Sequence, residues 1–119
     1  MKRRIYGVLV SLLLLGIIVL SFSLSKAEEV KTFEVKAENY KFHPDTITVN
    51  KGDKVVIKAI AVDKDHGFGI EAYDIDQPLP KGKWVTVEFT ADKKGEFTLR
   101  CTKFCGWRHF SMKGKLIVQ

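Results

Sequence analysis

Gly95-Glu96-Phe97-Thr98-Leu99-Arg100-Cys101-Thr102-Lys103-Phe104-Cys105-Gly106-Trp107-Arg108-His109-Phe110-Ser111-Met112-Lys113-Gly114-Lys115-Leu116-Ile117-Val118 holds a strand signal, a ligand-rich loop and a second strand signal in one stretch. Phe97 and Leu99 alternate with polar neighbours and lead directly into Cys101, and Lys115 to Val118 reads as the last strand. Between them, the twelve residues from Cys101 to Met112 carry two thiols, an imidazole and a thioether. Soft sulfur donors select Cu(I), imidazole suits either oxidation state of copper, and a thioether is the usual weak axial partner in electron-transfer copper sites. A β framework with a copper-type loop between its final two strands is the reading this stretch dictates.

Working back along the chain, the same β signature recurs. Phe33 and Val35 alternate with polar residues, Thr46-Ile47-Thr48-Val49 is rich in β-branched side chains, and Asn50-Lys51-Gly52-Asp53 is a turn cluster. Val55, Ile57 and Ala59 alternate through Lys54 to Ala61, and Trp84 to Phe89 alternates after an irregular middle. Helical periodicity is absent. Strands at this spacing with Gly and Lys turns predict an antiparallel sandwich or small barrel, with a short linker around Lys26 to Lys31 ahead of it.

The first 27 residues are of another kind. Ile5 to Leu24 is twenty residues without a charge, about 30 Å if helical, preceded by Lys2, Arg3 and Arg4 and followed by Ser25-Lys26-Ala27. The small-x-small ending suits a cleaved secretory signal, and the length suits an uncleaved membrane anchor. Both deliver the rest of the chain to an extracytoplasmic face, such as the periplasm. Residues 1–27 are thus expected to be a signal peptide or anchor and 28–119 one domain. The chain's formal charge is +6, but the leader contains four cations and no acids. The remainder has 16 Lys and Arg against 14 Asp and Glu, a net +2, so no nucleic-acid footprint is expected.

A metal site on such a framework needs a donor from a second segment, and His66, in Asp63-Lys64-Asp65-His66-Gly67-Phe68-Gly69, is the candidate. One upstream histidine followed by Cys, His and Met on a single loop is the ligand order of a cupredoxin. His43, before Pro44 in a turn with no sulfur nearby, reads as a surface residue. Export makes a disulfide the plain alternative for two cysteines, but a bridge between residues four apart closes too small a loop to stabilise much and leaves His109 and Met112 unexplained.

These residues carry a resemblance. From about Tyr40 to Val118 the chain resembles the binuclear copper A (CuA) domain of subunit II of haem-copper oxidases, particularly the short type with one N-terminal membrane helix. The similarity lies in Phe42-His43-Pro44-Asp45-Thr46-Ile47, His66-Gly67-Phe68, Gly95-Glu96-Phe97, and Cys101-x3-Cys105-Gly106-x2-His109-x2-Met112 followed by Gly114. The resemblance implies an all-β, cupredoxin-like Greek-key sandwich or barrel preceded by one N-terminal hydrophobic helix. It implies two copper ions: Cys101 and Cys105 bridge both, His66 and His109 each bind one, and Met112 and the Lys103 carbonyl are weak ligands. The implied role is electron transfer, with cytochrome c or another small donor as partner, a haem-copper oxidase catalytic subunit as a further one, and the membrane as a third if the leader is uncleaved. A single Cys-x3-His-x2-Met would fit mononuclear blue copper; the earlier cysteine is the specific addition.

The chain departs from that pattern in having at most one membrane segment, and in Lys103, Arg108 and Lys113, which make the rim of the site basic where many relatives are acidic. A partner face should therefore be acidic or largely apolar. Gly106 is expected to permit the tight loop, and Trp107 is either an electron-transfer group or simply a loop aromatic. Other readings are a free-standing exported electron shuttle, a copper storage or delivery protein, and structural zinc on Cys2His2, which Met112 and the distance to His66 disfavour. No Gly-x-Ser-x-Gly or phosphate-cradling glycine loop is present. Four strong metal ligands leave no evident position for a substrate, so catalysis within this polypeptide is not expected.

Overall fold

A computed structural model describes residues 29–119; the expected N-terminal hydrophobic helix, and the choice between signal and anchor, fall outside the described residues. Among these residues no helix is long and apolar enough to cross a membrane. The fold is all-β. Its strands are β1 (Val30–Glu38), β2 (Lys41–His43), β3 (Thr46–Val49), β4 (Lys54–Ala61), β5 (His66–Ile70), β6 (Ile75–Leu79), β7 (Trp84–Thr90), β8 (Gly95–Arg100) and β9 (Lys113–Val118). Single 3-10 turns occupy Glu71–Tyr73 and His109–Ser111. One sheet has the order β2-β1-β4-β7 and the other β3-β9-β8-β5-β6.

The alternation read from the sequence is what buries the core. Val35 and Ala37 from β1, Val55, Ile57, Ala59 and Ala61 from β4, Leu99 from β8, and Leu116 and Val118 from β9 all point inward. Strands whose side chains alternate across the pleat put every second residue against the opposite sheet. Phe42 on β2 and Phe68 on β5 cross this interface edge to face, with centroids 5.8 Å apart and rings at 87°. Such a pair contributes about 0.5–1.5 kcal/mol beyond its buried area.

Three expectations need correction. The sandwich is mixed rather than antiparallel: β1 pairs parallel with β4 and β3 parallel with β9. The chain leaves β1 through the antiparallel β2, crosses to β3 in the other sheet, and returns to β1's side running in its original direction. The linker expected at 26–31 overlaps β1, whose first residues, Val30 and Lys31, pair with Lys54 and Val55. The irregular middle contains two strands, β5 and β6, which pair antiparallel from His66 opposite Leu79 to Ile70 opposite Ile75. β5 is buried at every position and so shows no polar alternation. Pro78 falls on β6, an edge strand, where a missing N–H is tolerated.

Candidate metal centre

The topology brings the two donor segments to one end of the sandwich. β8 and β9 are antiparallel neighbours whose register runs from Gly95 opposite Val118 to Arg100 opposite Lys113, so residues 101–112 form the loop that joins them. The Cys101 amide donates to the Met112 carbonyl at 3.2 Å and closes its base. β5 lies beside β8, with Gly69 opposite Arg100, and starts with His66. The approach is very close. A Cβ on Gly67 would stand 2.7 Å from the Lys103 amide nitrogen and inside the Thr102 hydroxyl, and one on Gly69 would strike the Thr102 methyl. Bare backbone on β5 is what lets the cysteine loop settle onto the histidine strand.

The candidate ligands converge. Cys101 Sγ lies 3.4 Å from Cys105 Sγ, and both thiols are free. His66 Nδ1 is 3.9 Å from Cys101 Sγ, and His109 Nδ1 is 3.5 Å from Cys105 Sγ. Met112 Sδ stands 4.0 Å from Cys105 Sγ, and the Lys103 carbonyl accepts from the Cys101 thiol at 3.1 Å. His66, Cys101 and Cys105 offer donor atoms all within 4.8 Å of one another. All of the residues expected at the site are therefore gathered, while His43 is exposed and lines a cleft with Arg108 and Ser111 outside the donor set. His66 and Met112 are fully buried, and the cysteines are 4% and 5% exposed.

Burial, reinforced by hydrogen bonding and charge coupling with Cys101, pushes the Cys105 thiol up to about 12. Without a cation the thiol keeps its proton at neutral pH, so ion binding must displace protons. The Gly67 amide points at Cys101 Sγ from 3.4 Å and supplies a partner for negative charge on that sulfur. Two sulfurs, two imidazoles, a thioether and a carbonyl, nearly all shielded from water, suit copper among the biological metals.

The surroundings hold features that sequence reasoning missed. Asp63 Oδ1 is 2.7 Å from His66 Nε2, leaving Nδ1 to face the sulfurs, and its Oδ2 accepts from the Asn39 amide at 3.1 Å. Burial acts to raise the Asp63 carboxyl, but its hydrogen bonds with His66, the Asn39 amide and its own amide outweigh that and lower it. A carboxylate three residues before the candidate histidine was the available signal. Tyr40, next to Asn39 and likewise at positive φ (69° and 39°), packs beneath Gly106. Gly106 itself has φ 127°, and a Cβ there would stand 2.7 Å from the Tyr40 hydroxyl. The β1–β2 turn thus touches both ligand segments. Lys103, expected to add charge beside the site, turns its ammonium to Asp65 at 3.3 Å, so only its carbonyl faces the donors.

The matching family description is the cupredoxin-like domain, which covers residues 11–118. The chain belongs to the cupredoxin-like domain family. It is 32% identical over 88 residues to a cytochrome c oxidase subunit 2 from Thermus thermophilus, an alignment covering 74% of this chain and 65% of that protein. It is 37% identical over 75 residues to a nitrous-oxide reductase from Ralstonia nicotianae, covering 60% of this chain and 12% of the reductase. Thus it spans less than two thirds of either relative. Among solved structures, the periplasmic domain of subunit II of cytochrome oxidase from Bradyrhizobium japonicum superposes with TM-score 0.69 at 17% identity, over 82% of this chain and 88% of that one. At that identity the match demonstrates a common fold.

Proposed function

We propose that this chain is an extracytoplasmic electron-transfer protein that binds two copper ions, and that it serves as the electron-accepting domain of a subunit II-type component of a haem-copper oxidase. One observation carries the reading: two buried thiols 3.4 Å apart, each with its own imidazole approaching from a different segment. A mononuclear site needs one thiolate at its centre, whereas here each sulfur has a histidine and the pair stands between them.

Cys101 and Cys105 would bridge the ions, His66 and His109 would terminate the pair, and Met112 and the Lys103 carbonyl would cap it weakly. Copper held this way supplies one-electron chemistry with charge shared across two ions. The chain supplies the rest: Asp63 orients His66, the β5 glycines admit the loop, and burial excludes water that would reorganise around a change in charge. Residues 1–27 would direct the domain, 28–119, across or onto the membrane, and cytochrome c or a similar small protein would be the donor. Nitrous-oxide reductase among the relatives fits a domain that serves more than one terminal acceptor.

The test is copper reconstitution of the full chain, followed by metal analysis and electron paramagnetic resonance. Two coppers per polypeptide and a single delocalised mixed-valence signal are expected. One copper, none, or zinc bound in preference would overturn the assignment.

A further inference from the structure

The ammonium of Lys103, the lysine within the ligand loop, is engaged by Asp65, and a different lysine stands at the donor set. Lys64, half-buried and two residues before His66, reaches across to the loop. Its Nζ lies 5.2 Å from the centroid of the Tyr40 ring, and a Cβ on Gly106 would stand only 3.3 Å from it. Gly106 follows Cys105 directly, so the ammonium is lodged against the backbone beside one of the two central sulfurs. The quadrupole of the ring holds a cation placed over its face.

Nothing nearby cancels this charge. Among the described residues no carboxylate lies within 4.0 Å of the Lys64 ammonium. The acids on either side of it in sequence are engaged elsewhere, Asp63 by His66 and the Asn39 amide, Asp65 by the Lys103 ammonium and the Lys81 amide. Burial and the neighbouring Cys101 push the Cys105 thiol up, but Lys64 draws it down and outweighs the opposing Asp63. Of the formal charges outside the sulfur pair, a positive one therefore acts most strongly on this sulfur. The β1–β2 turn organises both signs: Asn39 holds the Asp63 carboxylate behind His66, and Tyr40 holds the Lys64 ammonium beside Cys105.

We propose that Lys64, stacked on Tyr40 against Gly106, is a positioning residue that fixes a positive charge beside Cys105 and so favours the reduced state of the metal pair. The inference rests on the two-copper reading and adds to it a residue that tunes the potential. Two thiolates balance two Cu(I) ions, so the reduced pair is neutral overall, and loss of one electron to an acceptor protein leaves one positive charge. A fixed cation repels that charge and leaves the neutral state almost untouched. Because Lys64 is half-buried, salt screens it less than it would a fully exposed lysine.

The experiment compares the full chain with Lys64→Met, Lys64→Gln and Lys64→Arg after copper reconstitution, by metal analysis, paramagnetic resonance and redox titration. At the midpoint potential of the wild type, both neutral variants should hold a reduced-to-oxidised ratio roughly threefold to tenfold lower, with two coppers and the delocalised signal retained. Lys64→Arg keeps the charge and should stay within about twofold of the wild type. Lys93→Met removes the other lysine stacked on a tyrosine, at the far end of β8 from the loop, and should leave the ratio unchanged. An unchanged or raised ratio in the neutral variants, or an equal fall with Lys64→Arg or Lys93→Met, would overturn the proposal. So would loss of a copper from both neutral variants, which would make Lys64 a support of the donor set and not a tuner of it. A wild-type chain that takes up one copper or none would sink the two-copper reading and this inference together, whereas two coppers with a potential insensitive to Lys64 would sink this inference alone.

Discussion

His66 and His109 bring the same ring to the same pair of thiols, but the chain builds the two arms differently. His66 opens a strand buried along its whole length, and its far nitrogen is fixed 2.7 Å from Asp63, which is itself anchored to the Asn39 amide. His109 opens a single 3-10 turn with no buried residue, and its neighbours are the exposed rings of Phe104 and Phe110. One arm is preorganised by hydrogen bonds and tight packing; the other is supported by aromatic faces and open to a partner. The electron exchange proposed for this chain would need both properties, a donor set that does not rearrange and an edge that another protein can reach. The two arms divide them.

The sharpest way to break the comparison is to remove the junction between the arms. Cys105 touches Cys101, His109 and Met112 at 3.4, 3.5 and 4.0 Å, so Cys105→Ser should detach the exposed arm and leave at most one copper per chain on His66 and Cys101. Metal analysis and paramagnetic resonance check this; two coppers with a delocalised signal would show that the sulfur does not bridge. Next comes the packing of the rigid arm. Gly67→Ala drives a methyl into Thr102 and the Lys103 amide, where backbone on both sides cannot yield, and should cost about 1–3 kcal/mol in thermal unfolding. Phe110→Ala on the open arm should stay within about 0.5 kcal/mol. Equal losses would erase the distinction.

The legible parts of the molecule are those governed by short-range pattern. Strands with one face in the core, such as β4 and β7, announce themselves by alternation, and the copper-type loop does so because soft ligands are rare and closely spaced. β5 was illegible because both of its faces are covered and two glycines lower its strand propensity; those glycines exist for Thr102, thirty-odd residues away. The parallel pairings of β1 with β4 and β3 with β9 depend on which sheet each crossing enters, a property of the whole chain and not of any window in it. His66 could be chosen as a ligand from its company, but the roles of Asp63 and the Asn39-Tyr40 turn lie in contacts between segments that no periodicity encodes.

Two smaller changes sharpen the contrast. Asp63→Asn keeps an oxygen that can accept from His66 but removes the charge, so copper affinity should fall toward the lower end of the roughly 10–100-fold range typical of such partners, as read by competition with a chelator. Because folding lowers the Asp63 carboxyl, the stability it adds is present above the unfolded value near 3.9 and is lost as pH falls through the folded value. Wild type and Asp63→Asn should therefore differ most in stability near neutrality and converge in strong acid.

Met112→Leu is expected to be the mildest substitution at the site. Met112 is fully buried and leucine nearly matches its volume, so the fold should lose less than about 1.5 kcal/mol. Its sulfur is 4.0 Å from Cys105, and a thioether is a weak copper donor that would tune a centre without retaining it. Both coppers should stay and the reduction potential should shift, measured by redox titration of the reconstituted protein. Loss of a copper would make Met112 a primary donor, and the open arm would then be held by a buried sulfur as firmly as the closed arm is held by Asp63.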